Sequence, residues 1–153
     1  MKTEIVRATE VDVAAVAESM TERHKAEWHA LLPDGVEARD VVIERFTDGV
    51  CARLDGEPVA VGEVFINRPG VASLGLVTTE AFPAAALAFT RFLRGGLFQG
   101  LKNEGVHRIE CMTLTHFEAA RRWMAMLGLE EEAVLRSYGR DREDFVQFAW
   151  VAS

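Results

Sequence analysis

The sequence predicts a single α/β domain, residues 1–153, in which helices cover both faces of a mixed central sheet. Three observations carry that expectation. Asp55-Gly56 stands between two strand-like runs, residues 50–54 and 59–66, and supplies the positive φ angles of a tight hairpin turn. After Pro83, the residues Phe89, Leu93, Leu97 and Leu101 recur at four-residue spacing, which is the stripe of a helix. A strand-like run over residues 107–114 follows that helix, so strand, helix and strand make a parallel crossover beside an antiparallel hairpin.

The remaining elements follow in chain order. Residues 4–7 form a short strand ending at Ala8-Thr9, and Thr9 with Asp12 resembles a capping box. Val13, Val16, Ala17, Met20 and later Leu31 make a helical stripe with Trp28 near it, so one bent helix is expected to about Leu32, ended by Pro33-Asp34-Gly35. Residues 38–46 form a second helix, with Val41, Val42, Ile43 and Phe46 available for burial, closed by Thr47-Asp48-Gly49. Residues 67–70 turn the chain into a third strand of the meander, residues 71–79. Pro83 suits the first turn of the next helix, because its missing N–H would have no partner there. Thr115 or His116 opens a helix to Leu127, with Gly128 as its left-handed end. Two last strands, residues 131–138 and 144–151, are joined by the polar loop 139–143.

Bulk properties exclude several function classes. A chain of 153 residues with 49% hydrophobic and 27% charged residues can bury its own core and reads as soluble. The longest apolar stretch, residues 82–89, is far too short to span a bilayer, and the first ten residues carry charge without an apolar signal region. Membrane partners are therefore not expected. The net charge of −7, with no block of Lys or Arg, argues against nucleic acid as a partner. Cys51 and Cys111 lack CxxC or metal spacing and read as reduced thiols, which favours a cytoplasmic location.

The element order resembles that of the GNAT acetyltransferase superfamily over nearly the whole chain. Locally, Ala120-Arg-Arg-Trp-Met-Ala-Met-Leu-Gly-Leu129 is similar to that superfamily's penultimate helix, which ends in Leu-Gly-Phe before the last hairpin. A narrower resemblance, to a divergent GNAT-like group encoded by bacteriophages and related to an internal virion protein of short-tailed phages, rests on four segments. These are residues 18–27, Leu74-Gly-Leu-Val-Thr-Thr79, Arg122-Trp123 before Leu127-Gly128, and Phe145-x-x-Phe148. It would place the chain in a host cytoplasm or a virion. The superfamily resemblance implies a GNAT-like acyl-CoA N-acyltransferase fold and acetyl-CoA or another acyl-CoA as cofactor, with the backbone of Val77, Thr78 and Thr79 pairing with the pantetheine arm. It also implies an amine acceptor, on a small molecule or a protein.

The family's chemical equipment is partly missing. Members hold the cofactor's pyrophosphate on a loop written Arg/Gln-x-x-Gly-x-Gly/Ala, where glycines let the backbone close on the phosphates. This chain has Thr78-Thr-Glu-Ala-Phe-Pro-Ala-Ala-Ala86 there, with no basic residue, no glycine, and Glu80 adding like charge. Arg94-Gly-Gly-x-x-x-Gly100 looks like a phosphate loop, but using it would leave a structureless connection from Thr79 to Arg94, so Gly95 and Gly96 read as permitting a close helix contact or a kink. Many members carry a proton-donating Tyr four residues before the helix-ending Gly. Counting back from Gly128 gives Met124, and the neighbouring Trp123 reads as a core anchor. The only tyrosine, Tyr138, lies on another strand.

Glu63, within the meander, and His116, at the start of the penultimate helix, are the candidate proton-handling residues, with a solvated strand position and helix capping as their respective alternatives. His24, Trp28 and His29 share a helical neighbourhood but give too few ligands for a metal site. Two functions remain open: an N-acyltransferase with a degenerate cofactor loop, or a catalytically silent GNAT-shaped module that binds a protein partner, with Trp28, His29 and residues 140–143 as contacts.

Overall fold

A computed structural model describes all residues, 1–153. Seven strands form a mixed sheet in the order β1-β2-β3-β4-β5-β7-β6. They are β1 (Thr3–Arg7), β2 (Val50–Leu54), β3 (Glu57–Arg68), β4 (Val71–Thr78), β5 (Arg108–Leu114), β6 (Glu130–Leu135) and β7 (Phe145–Val151). The helices are α1 (Glu10–Glu18), α2 (Glu22–Leu31), α3 (Ala38–Phe46), α4 (Ala86–Phe92), α5 (Phe98–Asn103) and α6 (Glu118–Met126). The chain divides into two compact units, Met1–Glu63 with Gly75–Phe89 and Val64–Leu74 with Thr90–Ser153.

In the first unit the expected capping box is present. Thr9 Oγ1 accepts from the Asp12 N–H (3.1 Å), and the Asp12 carboxylate accepts from the Thr9 N–H (3.0 Å). The same carboxylate receives Arg53 through Nε (3.1 Å) and Nη2 (2.8 Å), which joins the start of α1 to β2. Burial pushes the Asp12 carboxyl upward, but the Arg53 and Thr9 bonds outweigh it and hold the group below the usual carboxylate range. Val13, Val16, Ala17 and Met20 pack with Val42, Phe46, Cys51, Val61 and Val77 as the core of this unit. Asp55 and Gly56 both take positive φ (50° and 86°), as the primed hairpin turn requires. Gly49 is a glycine for a different reason: a Cβ there would lie 2.3 Å from the carbonyl oxygen of Gly62 and 3.0 Å from that of Phe46.

The one bent helix expected to Leu32 is instead two helices. The chain breaks at Met20, which forms an isolated bridge with Thr79, and Thr21 then caps α2 by accepting from the His24 N–H (3.2 Å). A backbone pairing won over helical continuation here, and the apolar stripe runs across both helices, so periodicity alone does not reveal the break.

In the second unit β4 pairs parallel with β5 from Val71↔Arg108 to Ser73↔Glu110, as the crossover predicts. β7 runs antiparallel beside β5 through seven pairs and beside β6 on its other side. The helix after Pro83 also departs from expectation. Between α4 and α5, residues Leu93–Leu97 form a π-helical turn in which the Phe98 N–H reaches back five residues to the Leu93 C=O. The extra residue moves the buried position from Leu97 to Phe98, which is 2% exposed, while Leu97 stays half-buried. Gly95 and Gly96 lie inside this turn, and a Cβ on either would meet nothing within 4 Å. They accompany a helical irregularity, not a close helix contact.

Helix α6 begins at Glu118 behind an N-cap, Phe117, that makes no side-chain capping bond, so neither Thr115 nor His116 opens it. It ends where expected, at Gly128 with φ 91°, and Arg94 Nη1 donates to the Met126 carbonyl in its last turn (3.0 Å). β6 is the outermost strand on its side of the sheet, and residues 130–134 are exposed. Glu131 pairs with Arg121 (2.9 Å), and Glu132 with Arg108 (2.5 Å).

Candidate functional site

The end of β4 and the turn after it carry the three residues that the sequence assigns to a cofactor arm. Val77 and Thr78 are buried, and Thr79 is half-buried. The Thr79 N–H donates to the Val59 C=O of β3 (2.9 Å). Successive backbone groups of a strand point to opposite sides, so the N–H and C=O of Thr78 face away from β3. Both have partners on the α1–α2 junction. The Thr21 N–H donates to the Thr78 C=O (3.0 Å), and the Thr78 N–H donates to His24 Nδ1 (3.3 Å).

His24 is 2% exposed and ringed by donors. The Thr21 hydroxyl lies 3.0 Å and the Thr78 hydroxyl 3.3 Å from Nδ1, and Arg23 Nη2 lies 3.0 Å from Nε2. A neutral ring carries one N–H and cannot accept at both nitrogens. We assign the acceptor to Nδ1, because the buried Thr78 N–H has no water to turn to. Nε2 then carries the proton and faces the Arg23 guanidinium donor to donor at 3.0 Å, a repulsion eased because Arg23 is partly exposed and also donates to Glu27 (3.4 Å). Burial first, and then the Arg23 charge, push the imidazole down to about 3, against a smaller opposing effect of the Thr78 backbone. His24 is therefore a neutral structural group at pH 7. Sequence reasoning grouped it with Trp28 and His29. The structure separates them: Trp28 packs edge-to-face on Phe46 (centroids 6.4 Å apart) against the core, and His29 is exposed. The available signal was Thr21 itself, a helix-capping residue three positions before His24.

The turn beyond β4 spends its donors internally. The Ala81 N–H goes to Thr79 Oγ1 (3.3 Å) and the Phe82 N–H to the Thr79 C=O (3.1 Å). Ala84 and Ala85 donate to the carbonyls of Ala81 (3.3 Å) and Phe82 (2.8 Å), and Pro83 has no N–H. With neither glycine nor basic side chain beside them, residues 81–85 do not fit a pyrophosphate. Thr78 turns one N–H and one C=O to the same side, the pair that an amide of an extended pantetheine arm would meet, and both are held by Thr21 and His24.

The proton-handling candidates lie in different units. Glu63 is half-buried on β3, and its Oε2 would stand 3.0 Å from a Cβ on Gly49. His116 is exposed between β5 and α6, its ring 4.2 Å from that of Phe117. Met124 is buried, while Trp123 is only half-buried and donates its indole N–H to Thr90 Oγ1 (2.8 Å). Tyr138 is 51% exposed and packs edge-on against Phe145. Arg140, Asp141 and Arg142 are exposed on the loop between β6 and β7, and Glu143 is half-buried. No group of three or more His, Cys, Asp or Glu side chains could hold a metal ion, and no helix is long and apolar enough to cross a membrane.

No protein-family model matches the chain, and no curated protein matches it by sequence. Solved structures do. The ribosomal-protein-S18-alanine N-acetyltransferase from Escherichia coli superposes with a TM-score of 0.71 at 16% identity, covering 99% of this chain and 95% of its own. A GNAT-family acetyltransferase from Bacillus anthracis gives 0.70 at 17% identity, with the same coverage of 99% and 95%. The aminoglycoside acetyltransferase AAC(6′)-Ib, in complex with coenzyme A and kanamycin, gives 0.65 at 18% identity over 98% of this chain and 95% of its own. The chain has the GNAT acyl-CoA N-acyltransferase fold.

Proposed function

We propose that the chain is an acyl-CoA-dependent N-acyltransferase, taking an acetyl or other acyl group from coenzyme A and passing it to an amine. The observation that supports this reading is the fold, shared over nearly the full chain with acetyltransferases of which one is solved with coenzyme A and an aminoglycoside. Acyl-CoA would supply an activated thioester carbonyl. The chain's part is to hold the pantetheine arm and move a proton. Of Val77, Thr78 and Thr79, the middle residue holds the arm through the N–H and C=O that face away from β3, and the carboxylate of Glu63 or the imidazole of His116 takes the proton that the amine must lose. The reaction ends with the acyl group in amide linkage and the thiol of coenzyme A protonated.

Because residues 81–85 keep their donors for themselves, the pyrophosphate contributes little to binding. Acetyl-CoA should therefore bind with a Kd weaker than ~10 µM, measured by calorimetry, with thiol released only when an amine is present. Binding at or below low micromolar would overturn the account of the turn. Those spent donors, and Met124 where many GNAT enzymes carry a tyrosine, favour a second reading: a catalytically silent module whose partner is a protein. Amine-dependent turnover would exclude it.

A further inference from the structure

We propose that the α1–α2 junction is a strap across the end of β4 that has to come off before the arm of an acyl-CoA can pair with Thr78. This rests on the acyl-CoA reading and adds to it a conformational step. Three contacts hold the strap: the bridge of Met20 to Thr79, the Thr21 N–H on the Thr78 carbonyl (3.0 Å), and the Thr78 N–H on His24 Nδ1 (3.3 Å). Thr78 is 4% exposed, so its backbone groups have no water to fall back on.

An extended arm pairs with a strand through the N–H and C=O that face away from the neighbouring strand. On β4 the Thr79 N–H is committed to β3, which leaves the groups of Thr78, and these are the groups the strap holds. Arm and strap compete for one donor and one acceptor, so they exclude each other. The segment between α1 and α2 is only Ser19, Met20 and Thr21, and the cap of α2 rests on the Thr21 hydroxyl and the His24 N–H, within α2's own end. Release also draws Met20 out of the core and parts His24, in the first turn of α2, from Thr78. The strap therefore lowers the apparent affinity by the fraction of molecules in which it is closed.

Amide hydrogen exchange on the unmodified chain, with and without saturating acetyl-CoA, tests this directly. The Thr21 amide should exchange faster in the presence of acetyl-CoA, because its partner carbonyl has been taken, while the Thr78 amide stays slow. If acetyl-CoA binds and the Thr21 amide slows or does not change, the strap is overturned and the acyl-CoA reading stands.

A pair of variants gives a second readout. Thr21 sits at φ −62°, which proline adopts, so Thr21→Pro removes the N–H that reaches Thr78. Thr21→Ala loses the same hydroxyl and keeps that N–H. Thr21→Pro should bind acetyl-CoA about fivefold more tightly than Thr21→Ala, as expected for one lost backbone hydrogen bond. Equal affinities would overturn the strap alone. Absence of binding to the wild type and to both variants at millimolar acetyl-CoA would overturn the strap and the acyl-CoA reading together. Should Thr21→Pro not fold, the exchange measurement decides.

Discussion

His24 and Gly49 show how much of the first unit depends on single side chains, or on the lack of one. The imidazole is a base whose pKa falls from 6.5 to about 3 on folding, chiefly through burial and then through Arg23. Below pH 6.5 the unfolded chain takes up a proton that the folded chain refuses, so stability falls as pH drops from 6.5 toward 3. The slope due to this residue approaches ~1.4 kcal/mol per pH unit. Thr21, Thr78 and Arg23 face the ring, with Glu27 beyond Arg23. His24→Gln keeps an acceptor and removes the proton site. In urea titrations from pH 7 to 4.5 its stability relative to wild type should improve by ~2 kcal/mol, and parallel pH profiles would show that His24 is not the source. Asp12 acts further down the scale. Its pKa is lowered on folding, so its contribution is lost only as pH falls below the ordinary carboxylate value of 3.8. Gly49→Ala pushes a methyl group against two backbone oxygens that cannot swing aside, and should destabilise by ~3 kcal/mol in chemical denaturation.

At the scale of elements, the π-helical turn behaves in the opposite way. Gly95 and Gly96 have open space where a Cβ would stand, and neither takes a positive φ. Replacing either by alanine removes backbone freedom from the unfolded chain without a clash. Each change should stabilise by ~0.5–1 kcal/mol, read as a rise in Tm. A fall in Tm for both would mean that the turn needs the glycines for its geometry. The same turn marks the limit of what the sequence discloses. Capping box, Asp55-Gly56 hairpin, α3 and the Gly128 helix end were all legible, because each rests on local chemistry that needs no distant partner. The break at Met20 and the inserted residue before Phe98 were not, since one answers to a bridge with Thr79 and the other shifts a stripe that four-residue spacing draws as continuous. The site divided the same way. Missing glycines and a missing tyrosine are visible as letters, whereas the engagement of Thr78 by Thr21 and His24 joins residues 54 or more positions apart.

For the molecule as a whole, element order carried the fold when no family model or curated sequence did, since the fold is shared with structures only 16–18% identical. One property of the finished sheet concerns not what the protein does but how its copies are kept apart. A seven-stranded open sheet has two unpaired flanks, and an unpaired flank is a template on which another chain can add itself. At β6 three consecutive exposed glutamates stand on that flank, two of them tied to Arg121 and Arg108. Adding a second copy there would press like charges together and strip them of water. Substituting Glu130, Glu131 and Glu132 together by threonine keeps strand propensity and removes the repulsion. Such a variant, still folded by circular dichroism, should scatter more light than wild type at equal concentration, and equal scattering would show that the acidic fringe has no protective role. The greater scattering would make the three glutamates gatekeepers, guarding the sheet against its own growth into a fibril.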